Sequence, residues 1–200
     1  MKPETSQKSQ KFRLRKEIRN LRRKLGADEK QARDSAINRF LTSYLVEYRP
    51  RVVAAFWPFD GEPDLLPCLD LTQREGIRIA LPVIGNSSGS TCMTFRKWAP
   101  ETRMENNRFG IPEPTGSPEI LIPDIDLMLL PLVGWDEAGR RLGMGAGFYD
   151  RALQPYAQSD SPVRIGVAYQ LQKMPSVPAE PWDVRLHMVL SESGWFTCPE

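Results

Sequence analysis

The segment GRRLGMGAGFYDR, residues 139–151, gathers four glycines and an alanine among arginines and an aspartate. Glycine loses more conformational freedom on folding than any other residue, so something must offset the loss. Close approach of bare main-chain N–H groups to an anion is one such gain. Arg140 or Arg141 could meet phosphate oxygens in pairs, and Asp150 is a hard oxygen ligand of the kind that joins Mg2+ to a nucleotide. A helix beginning near Phe148 would add its N-terminal dipole to the attraction for negative charge. A flexible hinge explains the same glycines, and an acid favouring the helix dipole explains the same Asp150. The loop is neither a Walker A sequence nor a dinucleotide fingerprint, because GxxxxGK[ST] is absent and no acid follows a GxGxxG at the required distance.

A second supply of cations lies far away in sequence. Residues 1–25 carry ten Lys or Arg against two Glu, a local charge of +8 in a chain whose net charge is +2. Leu14, Ile18, Leu21 and Leu25 recur at helical spacing and predict an amphipathic helix docked on a core. Lys11, Arg15, Arg19 and Arg22 form another stripe, rotated by roughly 85° and so running along the edge of the buried face. Such cations either lean into a neighbouring cleft and serve an anionic ligand, or form a solvated basic face. A basic arm for nucleic acid, using Arg13, Arg19, Arg22 and Arg23, is the rival reading.

These residues must be positioned by the rest of the chain. Its 200 residues, 40% hydrophobic and 26% charged, suit one globular domain, which we place at residues 11–200, with the polar residues 1–10 as a disordered tail. A second helix is predicted near 28–48. The apolar runs RVVAAFW (51–57), IRIALPVI (77–84), DLMLLPLV (126–133) and RIGVAY (164–169) predict strands, separated by helix-like EPDLLPCLDLTQRE and GFYDRALQPYA. That alternation predicts a three-layer α/β/α sandwich around a mostly parallel sheet. TCMTFRKW is a further strand candidate, and residues 101–124, rich in Pro, Gly and Asn, read as a long surface excursion. Ligands of such folds gather at the carboxyl ends of the strands.

Several chemistries are excluded. His187 is the single histidine, so paired-histidine metal sites are ruled out. A serine-hydrolase triad would have to use it without any GxSxG elbow; within RLHMVL it reads as a structural residue of a strand. Cys68, Cys92 and Cys198 are odd in number and show no CxxC, which predicts reduced thiols. There is no long apolar run and no secretory leader, and we expect a cytoplasmic protein without membrane association.

GRRLGMGAGFYDR, KFRLR at 11–15, FDGEPD at 59–64, FGIPEP at 109–114 and VPAEPWDVRL at 177–186 together resemble the 5-formyltetrahydrofolate cyclo-ligase, or methenyltetrahydrofolate synthetase, family. The resemblance runs from about residue 11 onward. It implies a fold like that of the NagB/RpiA/CoA-transferase group and the closure of 5-formyltetrahydrofolate to 5,10-methenyltetrahydrofolate, with ATP as co-substrate, Mg2+ as cofactor, and ADP and phosphate released. By the same resemblance Lys11 and Arg15 contact ATP phosphates, and Arg141, Leu142, Gly143, Met144, Gly145, Ala146, Gly147, Phe148 and Tyr149 wrap the nucleotide. Met144 to Phe148 also face the folate, as do Trp57 and Glu62, Glu62 holding the pterin. Asp150 and Asp183 are the implied Mg2+ ligands, and Lys11, Arg15, Arg141 and Tyr149 the implied catalytic set. The implied enzyme acts as a monomer on small molecules, with no nucleic-acid partner.

Each of these residues has a plainer use: Trp57 as core, Glu62 as a helix cap, Asp183 as a turn residue. The chain also departs from the family pattern. Ala146 stands where glycine is common and would be strained at positive φ. Phe148 replaces a frequent tyrosine, Trp182 a histidine before Asp183, and His187 an acid.

Overall fold

Apolar runs become neighbouring strands in a computed structural model that describes residues 7–84 and 92–199. The first six residues of the predicted tail lie outside the described residues, whereas Gln7–Gln10 already belong to the first helix. Helices α1 (Gln7–Arg23) and α2 (Ala27–Tyr48) precede strand β1 (Val52–Ala54), helix α3 (Leu66–Arg74) and strands β2 (Arg78–Val83) and β3 (Thr94–Trp98). The segment expected as a surface excursion instead forms the hairpin β4 (Met104–Asn106) and β5 (Pro112–Pro114), then β6 (Glu119–Ile120). After β7 (Leu127–Pro131) come a short hairpin, β8 (Gly134–Trp135) with β9 (Arg141–Leu142), and helix α4 (Phe148–Leu153). Strands β10 (Val163–Val167), β11 (Met188–Ser191) and β12 (Gly194–Thr197) end the fold.

The main sheet has the order β12-β11-β10-β7-β1-β2-β3-β6. Its five central strands are parallel, while β12, β3 and β6 add antiparallel edges. The central strands are buried on both faces, which is why they read as continuous apolar runs rather than alternations. Val53, Ile79, Leu129 and Ile165 face one way, onto Ile37, Leu41 and Leu45 of α2 and Cys68 and Leu69 of α3. Their neighbours Val52, Ala54, Ala80, Met128 and Leu130 face the other way, onto Leu153 of α4, as the two-residue period of a strand requires. The result is an α/β/α sandwich. From β1 the chain proceeds to β2 on one side and later to β7 on the other, so the sheet's direction of growth reverses between β1 and β7. A crevice opens at the carboxyl ends of strands at such a point.

Helix α1 closes that end. Leu14 and Ile18 pack on Val133, Leu142, Met174 and Val177. Close approach is possible because Gly134 has no side chain: a Cβ there would come within 2.7 Å of Met174 Sδ and 3.0 Å of Ile18 Cδ1. The predicted inward face holds at Leu14, Ile18 and Leu25 and fails at Leu21. Leu21 is 47% exposed, whereas Arg22 is 1% exposed, and Lys11, Arg15 and Arg19 turn inward with it. Polar anchors decide this register: Arg15 Nε donates to the Gly143 carbonyl at 2.8 Å and Arg22 Nε to the Asp60 carbonyl at 3.0 Å. A buried arginine left without such partners would cost more than exposing one leucine. Among the described residues no helix is long and apolar enough to cross a membrane.

Candidate active site

The crevice is a cavity of about 780 Å³, a size suited to small-molecule ligands. Phe56 and Trp57 follow β1 into it, Ile84 follows β2, and Pro131 ends β7. One side is the glycine loop and the start of α4; Lys11 and Arg15 enter from α1.

The loop turns on Gly145 at φ +107° and Gly147 at φ +67°. Both conformations penalise a side chain. Ala146 is absent from the positive-φ residues, so its methyl group is compatible with the loop. Gly145 also makes room for α1, since a Cβ there would stand 3.4 Å from the Arg15 guanidinium carbon. Burial lowers the Arg15 pKa, and Asp183 opposes that effect.

Cations and carboxylates alternate along this wall. Lys11 Nζ lies 3.1 Å from Asp183 Oδ2 and 3.6 Å from Glu180 Oε1. Arg141 Nη2 donates to Asp150 Oδ1 at 2.5 Å, and the Val184 N–H approaches the same oxygen at 3.3 Å. Asp150 therefore reaches the backbone beside Asp183. Arg141 is 7% exposed, yet its Nε is buried with no hydrogen-bond partner. A buried donor without an acceptor is costly, and the residue that carries it lines the cavity. Arg140 does not join it; this side chain is held outside by Asp136 and Ser176.

Among the described residues no group of three or more His, Cys, Asp or Glu could hold a metal ion. Two hard carboxylates on one cavity wall, Asp150 and Asp183, are nonetheless the donor set that Mg2+ uses when nucleotide phosphates supply further oxygens. The chemistry of the donors fits.

Glu62 lies across the cavity, 6% exposed. The Phe59 N–H donates to its Oε2 at 3.2 Å, and Arg22 Nη1 stands 4.0 Å from its Oε1. It does not cap α3; Asp64 accepts from the Leu66 N–H there. Burial pushes the Glu62 carboxyl up to about 7, against the opposing pull of Arg22 and the Phe59 N–H. Tyr149, on α4, has its phenol pKa raised by burial and then by Glu62. Trp57 lines the cavity and meets Trp98 edge-on at 6.3 Å.

The hairpin β4–β5 supplies a wall that sequence reasoning missed. Asn107 Nδ2 and the Ile84 N–H both donate to Glu113 Oε1, at 2.7 and 2.8 Å, and Asn107 Oδ1 accepts from the N–H groups of Phe109 and Ile111. This ties the hairpin to the end of β2. Phe109 then meets Phe148 edge-on at 6.2 Å, with the Arg108 guanidinium 5.0 Å from the Phe109 ring. FGIPEP carried the signal, but only as a resemblance; nothing in its composition told that Glu113 would be buried. Trp182, 62% exposed, stands at the cavity rim.

His187 belongs elsewhere. It precedes β11, and its ring nitrogens meet the Arg164 backbone N–H at 3.0 Å and Arg164 Nη2 at 2.5 Å. Burial and Arg164 lower its pKa. Of the four arginines of the nucleic-acid reading, Arg19, Arg22 and Arg23 bind Asp60, while Arg13 is exposed.

A family model described as the 5-formyltetrahydrofolate cyclo-ligase family matches residues 7–192. A 5-formyltetrahydrofolate cyclo-ligase of Haemophilus influenzae is 33% identical over 179 residues, 88% of this chain and 95% of its own. The Escherichia coli K12 protein of that name is 34% identical over 178 residues, covering 88% and 97%. Among solved structures, Aquifex aeolicus 5,10-methenyltetrahydrofolate synthetase superposes with a TM-score of 0.79 at 26% identity, covering 95% of this chain and 93% of that one. A 5,10-methenyltetrahydrofolate synthetase from Mycoplasma pneumoniae gives 0.74 at 27% identity, covering 91% and 98%.

Proposed function

Because the chain belongs to the 5-formyltetrahydrofolate cyclo-ligase family, we propose that it closes 5-formyltetrahydrofolate to 5,10-methenyltetrahydrofolate with consumption of ATP. The observation that carries this reading is the convergence of Lys11, Arg15 and Arg141 on the cavity lined by the Gly143–Gly147 loop. Three cations and bare backbone there make a cradle for a triphosphate.

The formyl oxygen attacks the γ-phosphorus, the bond to the β,γ-bridging oxygen breaks, and ADP leaves. The folate then carries an imidate phosphate at N5. Its N10 attacks the former formyl carbon, inorganic phosphate departs with the C–O bond electrons, and loss of the N10 proton leaves the methenyl bridge. The chemistry needs alignment and charge neutralisation more than covalent help from the protein. Lys11, Arg15 and Arg141 offset the developing phosphate charge. Glu62 accepts the pterin's N–H donors, and Trp57 gives the ring an apolar wall. Asp150 and Asp183 would hold Mg2+, whose charge neutralises the triphosphate. Phe109 and Phe148 cover the mouth and limit entry of water, which would otherwise hydrolyse the imidate. The proposed enzyme works as a monomer in the cytoplasm.

The test is absorbance of the methenyl product from 5-formyltetrahydrofolate, with ATP and Mg2+ supplied together and each withheld. Folded protein that yields no product when both are present would refute the reading.

A further inference from the structure

We propose that Arg22 is a positioning residue for the folate site, its buried guanidinium holding the turn at Asp60 and presenting a fixed positive charge to Glu62. The inference rests on the reading of Glu62 as the carboxylate that receives the pterin. It makes α1 a helix with two duties, one at each end.

The geometry begins with the cost of burying an arginine. Arg22 is 1% exposed, and such a charge persists only with good partners. It has three: Nε donates to the Asp60 carbonyl at 3.0 Å, Nη2 to Asp60 Oδ2 at 3.2 Å, and Nη1 to the Leu132 carbonyl at 3.4 Å. Asp60 is drawn to this place in an uncommon conformation, φ +53°. Arg19 and Arg23 add their Nε donors to its carboxylate, each at 2.6 Å. One turn, Phe59–Glu62, is thereby fixed by three arginines from a single helix.

That turn carries Glu62. Arg22 Nη1 donates to the Leu132 carbonyl and stands 4.0 Å from Glu62 Oε1, beyond hydrogen-bond reach, so it acts on Glu62 through its charge. The groups facing Glu62 are Arg22 and Arg19 from α1, Asp60 and the Phe59 N–H from its own turn, and Tyr149 from α4. Of these Arg22 gives the largest opposition to the burial that would keep Glu62 protonated. A carboxylate that accepts two pterin N–H donors must be ionised to accept with both oxygens. Lys11 and Arg15 lie towards the other end of α1, roughly 16 and 10 Å along the axis from Arg22 at about 1.5 Å per residue.

The experiment is equilibrium binding of 5-formyltetrahydrofolate to the full chain, without nucleotide, from about pH 6 to about pH 9, a range that brackets the Glu62 titration. Wild-type affinity is expected to rise with pH through a step that Glu62→Gln abolishes. Arg22→Gln removes the charge, so Glu62 ionises only at higher pH: the step should move up by about one pH unit or more, costing about tenfold in affinity at neutral pH and recovering above it. Arg22→Lys should keep the step within about 0.5 of its wild-type position. A merely structural role would lower affinity equally at every pH and leave the step in place, and that result overturns the inference alone. If Arg22→Gln does not fold, Arg19→Gln, on a less buried side chain, should move the step in the same direction by less; an unmoved step there also overturns it. A wild type that takes no 5-formyltetrahydrofolate at any pH would overturn both the inference and the functional reading beneath it.

Discussion

Lys11 and Asp183, 172 positions apart, meet at 3.1 Å on the wall of the cavity. The pair joins the first turns of α1 to the loop that precedes β11, so a residue proposed for the triphosphate rests on one proposed for its metal. Asp183 also accepts from the Glu180 N–H at 2.8 Å, which fixes the carboxylate before any ligand arrives. An anion entering here meets cations already held in place, at little cost in reorganisation.

The nucleotide should therefore depend on the first turns of α1, at Lys11 and Arg15, far more than the folate does. Lys11→Ala or Arg15→Ala is expected to raise the KM for ATP by about 10- to 100-fold, the scale of a charge-assisted hydrogen bond. The KM for 5-formyltetrahydrofolate should change by less than about threefold. Steady-state kinetics with each substrate varied in turn checks this, and equal effects on both KM values would count against the division of labour.

The glycine loop offers a test in which one methyl group is harmful and another is not. Gly145→Ala places a Cβ against the Arg15 guanidinium at φ +107°, a conformation that costs an L-residue about 1–2 kcal/mol or more. It should raise the KM for ATP by about tenfold. Ala146→Gly, at a position without positive φ, should leave that KM within about twofold. An Ala146→Gly variant that binds ATP much more tightly would mean that the loop pays for its alanine.

Much of this could be read from residues alone, and the parts that could not share a cause. Val53, Ile79, Leu129 and Ile165 lie in runs buried on both faces, so strand identity and the parallel sheet follow from composition within each run. Lys11 and Arg15 repeat at helical spacing, which places them together before any fold is known. Leu21 was expected inside and Arg22 at the edge; the reverse holds because Arg22 finds Asp60 38 residues later, and no local pattern reveals a distant acceptor. Glu113 is similar: its burial depends on the Ile84 N–H, 29 residues away, so the hairpin looked like a surface excursion. Polar residues buried by remote partners are where periodicity gives the wrong face.

Asp150, proposed above as a Mg2+ ligand, also accepts from Arg141 Nη2 at 2.5 Å. Asp150→Asn is expected to lower Mg2+-dependent turnover by more than about tenfold. Raising Mg2+ should recover only part of the loss, since the amide also weakens the charge-assisted bond to Arg141 Nη2. A Mg2+ titration of initial rates separates the two effects. An unchanged rate at every Mg2+ concentration would remove Asp150 from the metal site.

Glu62 should trade stability for function, with a sign fixed by its titration. Its carboxyl is pushed up to about 7 from an ordinary value of 4.5, so between these pH values the folded chain binds a proton that the unfolded chain has released. Stability from this group therefore falls as pH rises across that window, is unaffected below it, and carries the whole penalty above it. The penalty is on the order of 3 kcal/mol, the free-energy equivalent of that difference in proton affinity. Glu62→Gln has no charge to bury. Its Tm should match wild type near pH 4.5 and exceed it by about 5 °C or more at pH 8, while folate affinity at pH 8 falls. Thermal melts across this range decide the matter: a Tm difference that stays constant from acid to alkaline pH would mean that Glu62 titrates normally in the folded protein.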